Sequence, residues 1–345
     1  ADGVVDTEMI PVESEHSAMS AVVGAAASGA RAFTATASVG LALMHEVVFI
    51  AASLRLPIVM AVANRALSGP INIHCDHSDA MAERDSGWIQ LWAENAQEAY
   101  DFTVMAYKIA EHKDVRLPVM VNFDGFIISH GVEVVETLDD ELVKNFVGKQ
   151  EKIYPLLDTS NPVTYGSIDM YDYYFEHKRQ QIEAMKHVPR VFKEIAEEFA
   201  KISGRKYDLV DGYMLDDAEY VMVALGSTAG TIKHTINELR KEGKKVGLLK
   251  PWMFRPFSKE EYQRLLTGRK AVVVLDRSAS FGAEAPLYQS VKSAIYEVAS
   301  KPQMGSYVYG LGGRDITPHH IRQAFEDAFN GNLIVDEERY LGLRE

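Results

Sequence analysis

Three short stretches of this chain concentrate side chains suited to chemistry. Pro11-Val12-Glu13-Ser14-Glu15-His16 sets two carboxylates where an apolar run turns into a helical pattern of small residues. Acids there cap a helix N-terminus; the alternative is a buried acid facing a ligand. Asn64-Arg65-Ala66-Leu67 directly follows the β-rich run PIVMAVA at 57–63. Ligands of open α/β sheets sit beyond the carboxyl ends of strands, and an arginine there can fork onto a carboxylate. An ordinary salt-bridged arginine is the other reading. His74-Cys75-Asp76-His77-Ser78-Asp79 packs six polar or ligating residues together. Zinc ligand pairs stand farther apart and need a second pair elsewhere; none is evident, so a hydrogen-bonded loop near the site is the better reading. Leu225-Gly226-Ser227-Thr228-Ala229-Gly230 and Gly310-Leu311-Gly312-Gly313-Arg314-Asp315 complete the set. Their amides could hold an anion, although isolated glycine-rich turns by default serve turn geometry.

The elements that must position these residues alternate. Met9 to Val12, Ala32 to Thr36, Pro57 to Ala63 and Leu117 to Phe123 read as strands, with helices over 14–28, 40–52 and 96–111 between them. Residues from about 133 to 166 are irregular and polar, with Pro155 and Pro162. A helical stretch then runs over about 170–202, interrupted at Pro189, which suits a first turn better than a helix interior. Its second part places Val191, Phe192, Ile195, Ala196, Phe199 and Ala200 on one face. A second series follows: strands at 220–225, 246–249, 271–275 and 307–309, helices at 228–241, 286–299 and 318–329. This rhythm predicts an α/β chain of two domains, each a mainly parallel sheet flanked by helices. The boundary is expected near 208, giving units 1–208, with a long helical excursion over 133–205, and 209–345.

The chain has 345 residues, enough for two ordinary cores, and a net charge of −13. That charge argues against nucleic acid and anionic membrane as partners. Cys75 is the single cysteine; it can neither close an intrachain disulfide nor hold an iron–sulfur cluster, which needs about four ligands. A cytoplasmic location is expected. No apolar run reaches the ~18 residues of a membrane span, and no signal peptide opens the chain. The chain begins without Met in what reads as a loop, so an N-terminal strand and turn are expected to be missing.

Five segments carry a resemblance: VESEHSAMSAVVGAAASGAR at 12–31, FTATASVGLALMHE at 33–46, LPIVMAVANRALSGPINIHCDHSD at 56–79, RDSGWIQLWAENAQEAYD at 84–101 and GLGGRDIT at 310–317. In order and over essentially the whole chain, they resemble the alpha subunit of pyruvate:ferredoxin oxidoreductases, within the 2-oxoacid:ferredoxin oxidoreductase family. The resemblance implies a transketolase-like pyrimidine-binding domain followed by a transketolase C-terminal-like domain. It also implies thiamine diphosphate shared with a pyrophosphate-binding subunit. Mg2+ and the iron–sulfur clusters would lie on partners, with a ferredoxin-like iron–sulfur subunit and a gamma-type subunit in the complex. Two features of the residues agree. One cysteine leaves the clusters to other chains, and the Gly-Asp-Gly motif with a later Asn-Asn is absent; Phe123-Asp124-Gly125 comes nearest.

By the resemblance, Glu15 bonds N1′ of the aminopyrimidine, Arg65 faces the substrate carboxylate, Asn64 stands beside it, and Ser38 and Val39 border the cofactor. No metal is assigned to this chain. Ser68-Gly69-Pro70-Ile71-Asn72-Ile73 is similar to pyruvate enzymes rather than branched-chain ones, where aromatic residues would follow the proline. The expected reaction is oxidative decarboxylation of pyruvate with coenzyme A, giving acetyl-CoA, carbon dioxide and reduced ferredoxin. The same chemistry on another 2-oxoacid (branched-chain or 2-oxoglutarate) and a non-catalytic assembly role are the alternatives. Two departures bear on this. Ser38-Val39-Gly40-Leu41 stands where the family reads Ser-Gln-Gly-Leu, and the family's Tyr-Pro-Ile-Thr-Pro turn, with its site threonine, would precede residue 1.

Overall fold

A computed structural model describes residues 7–334 and 337–344; the first six residues of the opening loop lie outside the described residues. In chain order the elements of the first half are α1 (Glu15–Ala27), β1 (Ala32–Thr36), α2 (Val39–Leu43), α3 (His45–Ser53), β2 (Ile58–Asn64), α4 (Ser78–Ala82), β3 (Ile89–Ala93), α5 (Ala96–Glu111), β4 (Val119–Asp124), α6 (Asp140–Val147) and α7 (Tyr174–Ser203). The rest are β5 (Val210–Tyr213), β6 (Tyr220–Ala224), α8 (Thr228–Lys241), β7 (Val246–Pro251), β8 (Met253–Arg255), α9 (Lys259–Leu266), β9 (Ala271–Asp276), α10 (Pro286–Ile295), β10 (Gln303–Tyr309), α11 (Pro318–Phe329) and β11 (Arg339–Leu341).

Two sheets result. The first runs β1-β2-β4-β3-β8 and the second β11-β10-β9-β6-β7-β5. All neighbours are parallel except β3 with β8 and β5 with β7. Strands of a parallel sheet covered on both faces need apolar side chains on both, and the continuous runs supply them. In the first sheet Val59, Val119 and Val121 face a core built with α5 and α7. Met60, Val62 and Met120 face the opposite core, under α1 and α3. In the second, Val221, Val223 and Val274 face α9 and α10, while Met222, Val273 and Leu275 face α8 and α11. The two-domain, doubly covered α/β architecture expected from the sequence is therefore present.

Several elements depart from expectation. Met9–Val12 forms no strand: Met9 is 91% and Ile10 66% exposed, with no neighbouring strand to pair them among the described residues. The helix expected over 40–52 is two, meeting at Met44. α7 runs unbroken for 30 residues through Pro189. Proline costs an interior helix about 3 kcal/mol. Burial of Val188, Val191, Phe192, Ile195, Ala196 and Phe199 on one face outweighs it. The stretch 133–166 includes α6, started by an Asp139 carboxylate that accepts from Glu141 N at 3.0 Å. Contacts also cross the boundary expected near 208. β8 crosses back to the edge of the first sheet, and Lys250 of β7, 1% exposed, pairs with Glu94 at 2.5 Å and Glu98 at 2.7 Å beside β3.

Candidate active site

The carboxyl ends of β1 and β2 converge on one buried carboxylate. Asp79, in the first turn of α4, is 1% exposed. Its Oδ2 accepts from Ser38 N at 2.9 Å and Arg65 N at 3.0 Å; its Oδ1 accepts from Asn64 Nδ2 at 2.9 Å and Ala80 N at 2.7 Å. Burial pushes this carboxyl up to about 6, even though the bonds from Asn64, Arg65, Ser38 and Ala80 pull it down. Ser38 has φ 52° and ψ −127°, a conformation that side-chain-bearing residues rarely adopt. Such a residue costs ~1–3 kcal/mol and persists only when its surroundings over-determine it. Here the donation of Ser38 N to Asp79 and of Ser38 Oγ to Ala66 O fixes it.

Glu15 opens α1. Ser14 is the N-cap, its Oγ accepting from Ser17 N at 3.3 Å, and Glu13 accepts from Ser17 Oγ. Glu13 thus serves the helix start, while the Glu15 carboxyl is exposed and has no hydrogen-bond partner among the described residues. It lies over Gly40. A Cβ at 40 would come 3.0 Å from Glu15 Cγ and Oε1 and 2.7 Å from Thr36 Oγ1, so glycine there leaves the carboxyl its place. Val39 beside it is 51% exposed.

Arg65 is half-buried, its guanidinium without a carboxylate partner among the described residues. Its stem packs on the turn after β4, where a Cβ at Gly125 would stand 2.6 Å from Arg65 Cγ. Asn64 points inward. It is 0% exposed, and its Nδ2 also reaches Asn122 Oδ1 at 3.3 Å. Its Nδ2 is thus engaged inside the fold. The fold thus brings Glu15, Ser38, Val39 and Arg65 to the carboxyl end of one sheet, through the chain Glu15–Gly40–Ser38–Asp79–Arg65. Asp79 itself was visible in sequence only as part of a polar loop.

A second buried network lies where the two sheets meet. Asp124, the last residue of β4, is fully buried. It accepts from His77 Nε2 at 2.8 Å, Arg277 Nη1 at 2.9 Å, and Ser227 through both N (3.2 Å) and Oγ. Burial alone would raise this carboxyl, but the charges of His77 and Arg277 with their hydrogen bonds hold it well below the usual carboxylate range. The anion awaited by the 225–230 turn is thus this chain's own Asp124. The turn must be glycine at 226, where φ is +69° and a Cβ would come 2.7 Å from Asp124 Oδ1. The second glycine-rich turn clasps the 72–76 loop: Gly312 N donates to Asp76 Oδ2 at 3.2 Å, Gly313 N to Cys75 O at 2.7 Å, and Asn72 Nδ2 to Gly312 O at 3.1 Å.

Cys75, His77 and Asp124 place one potential metal ligand atom each within 4.8 Å of one another. Sequence reasoning had no means of joining Asp124 to the other two. A thiolate is the metal-binding form of cysteine, and burial pushes the Cys75 thiol up. Arg277 already supplies the positive charge at Asp124. The loop reading of 74–79 fits this geometry better than a metal centre does.

Known proteins agree with this architecture. Residues 1–197 match the family described as pyruvate flavodoxin/ferredoxin oxidoreductase, thiamine diphosphate-binding, and residues 218–321 match pyruvate:ferredoxin oxidoreductase core domain II. The chain is 75% identical to the pyruvate synthase subunit PorA of Thermotoga maritima, over 100% of this chain and 88% of that protein. It is 50% identical to the PorA of Methanocaldococcus jannaschii, again over 100% and 88%. It is 43% identical to the ketoisovalerate oxidoreductase subunit VorA of Pyrococcus horikoshii, over 95% and 83%. In fold it is similar to a 2-oxoglutarate:ferredoxin oxidoreductase from Magnetococcus marinus, solved with 2-oxoglutarate, coenzyme A and succinyl-CoA (TM-score 0.67, 20% identity, 93% of this chain and 57% of that one). It is also similar to a split-gene transketolase (TM-score 0.53, 12% identity, 92% and 82%). With a family match over more than half its length and relatives this close, the chain belongs to the pyruvate:ferredoxin oxidoreductase family, as an alpha-type subunit with a transketolase-like fold.

Proposed function

We propose that this subunit supplies the pyrimidine side of a thiamine diphosphate site, and that the assembled enzyme converts pyruvate and coenzyme A to acetyl-CoA and carbon dioxide while reducing ferredoxin. The observation that carries the reading is the pair of groups without partners at one sheet end. Among the described residues the Glu15 carboxyl and the Arg65 guanidinium both lack a partner, and buried contacts of their neighbours link them. A carboxyl over Gly40, with exposed Val39 beside it, suits the polar edge and apolar face of an aminopyrimidine.

Thiamine diphosphate, when bound, supplies the reactive carbon and the electron sink for cleaving the bond between the keto carbon and the carboxylate. Glu15 holds a proton at its carboxyl oxygen toward N1′, a general-acid role that needs a fixed short contact. Arg65 forks onto the substrate carboxylate and positions it. Complete neutralisation would oppose loss of carbon dioxide, so orientation is its main contribution. Val39 offers the ring an apolar contact and, unlike a glutamine, no hydrogen bond. Asn64 acts from behind, holding Asp79. The pyrophosphate with its Mg2+, and the iron–sulfur clusters, fall to partner subunits, with a gamma-type subunit completing a cytoplasmic complex.

The same chemistry on a branched-chain 2-oxoacid is the second reading, favoured by the 43% identity to a ketoisovalerate enzyme subunit. Ferredoxin reduction by the purified complex across pyruvate, 2-oxoisovalerate and 2-oxoglutarate separates the two; pyruvate is expected to give the highest kcat/KM. Glu15→Gln in the same complex should slow exchange of the cofactor's C2 proton by at least ~100-fold. Exchange at the wild-type rate would reduce Glu15 to a residue of the helix start.

A further inference from the structure

We infer that Asp79 is a positioning residue of the reaction: it fixes the backbone from which Arg65 reaches the substrate and the turn that presents Val39. The inference rests on the Arg65 role proposed above. At 1% exposure Asp79 presents almost no surface to a ligand. Yet its four acceptor bonds join three separate segments. Ser38 N comes from the end of β1, Asn64 Nδ2 and Arg65 N from the end of β2, and Ala80 N from its own helix. Ser38 needs this anchor, because its positive φ holds only while its N–H and Oγ are engaged. Arg65 needs it because, among the described residues, the guanidinium has no ion pair to aim it. Its backbone N–H on Asp79 and its stem on Gly125 are what orient the side chain.

One unused atom predicts how the site answers substitution. Asn64 Oδ1 is buried with no partner among the described residues. An Asn at 79 would keep one oxygen for Ser38 N and Arg65 N, lose the acceptor of Ala80 N, and bring its NH2 group to Asn64 Oδ1 once that amide turns over. The two bonds that set the strand ends would then survive without charge. An Ala at 79 leaves Ser38 N, Arg65 N and Ala80 N without this acceptor, and Asn64 Nδ2 with Asn122 Oδ1 alone among the described residues.

Steady-state kinetics of the assembled complex test this. Asp79→Ala should raise the KM for pyruvate about tenfold or more, because displacement of an anchoring group by even ~1 Å is costly. The kcat should stay within about threefold, since an anchor used equally in ground and transition states acts on KM. Asp79→Asn should recover KM to within about threefold of wild type. Arg65→Lys added to Asp79→Ala should raise KM by less than about twofold further, because both act through one contact. An unchanged KM in Asp79→Ala overturns the inference, and so does a full multiplication of the two losses in the double variant. An unchanged KM in Arg65→Lys alone identifies the Arg65 anchor as the step that failed. If Asp79→Ala does not assemble, Asn64→Ala, which removes one of the four bonds, carries the same test. A KM rise absorbed in the Arg65→Lys background supports the inference, and no rise overturns it.

Discussion

Removing Asp124 should loosen the joint between the two sheets. The carboxylate is fully buried and neutralises Arg277, itself 3% exposed. Asp124→Ala would leave that guanidinium buried without a counter-charge, and His77 Nε2 and the Ser227 hydroxyl without their acceptor. Breaking a buried pair from one side costs about 3–5 kcal/mol. Unfolding entropy of ~2.1 cal/mol/K per residue over 345 residues converts this to a fall in Tm of about 4–7 °C. Scanning calorimetry of the purified chain measures it. The companion variant is Asp124→Ala with Arg277→Met, which removes both charges and fills the space with an apolar side chain. Eliminating a buried pair altogether is often close to neutral, so the double variant should regain more than half of the lost Tm. A fall of less than ~1 °C in Asp124→Ala, or a double variant no better than the single, would refute the assignment of this network as the interdomain lock.

Arg65→Lys keeps the charge but loses the two-point grip, so KM for pyruvate should rise about ten- to a hundredfold; cofactor affinity, measured separately by titration, should stay near wild type. Asp276 is buried at the end of β9, accepting from Leu287 N at 2.8 Å and Tyr288 N at 3.0 Å. Burial pushes it from 3.8 up to about 7. A raised carboxyl binds its proton more tightly when folded, so its contribution is full below 3.8 and is lost as pH rises through about 7. Asp276→Asn mimics the protonated form; urea titrations should show its stability relative to wild type rising across that window by on the order of 2–4 kcal/mol, and a flat difference would contradict the reasoning. Gly226→Ala should destabilise by about 1–3 kcal/mol, because it combines a positive φ with a Cβ 2.7 Å from Asp124 Oδ1; a thermal melt matching wild type would mean that the turn relaxes freely.

Helices whose register is set by local chemistry were legible in the sequence almost to the residue. α5, α8 and α11 begin and end where the apolar spacing and turn residues place them. The continuous apolar runs of β2, β4, β6 and β9 announced parallel strands buried on both faces. β8 and β5 were not legible, because short edge strands are defined by the neighbour they pair with and not by their own three or four residues. Pro189 misled because propensity is a local quantity, while the apolar face of α7 is paid for by packing from α5 and the first sheet.

The residue types that make a family recognisable are fixed in one dimension. The ordered motifs at 12–31, 33–46, 56–79, 84–101 and 310–317 mark the family without any coordinates, while Glu15 and Arg65 taken alone stay open between structural and chemical readings. What the sequence could not determine is which of several similar polar residues face inward. Asp76, Asp79 and Asp124 read alike in the chain. Only the fold shows one tied to the 310–313 turn, one gathering the ends of β1 and β2, and one joining the sheets. The physical reason is that a buried carboxylate is specified by its donors, and those donors lie 41 residues from Asp79 at Ser38 and 153 from Asp124 at Arg277. Sequence spacing carries no trace of such pairs, whereas the convergence of strand ends in a parallel sheet creates them.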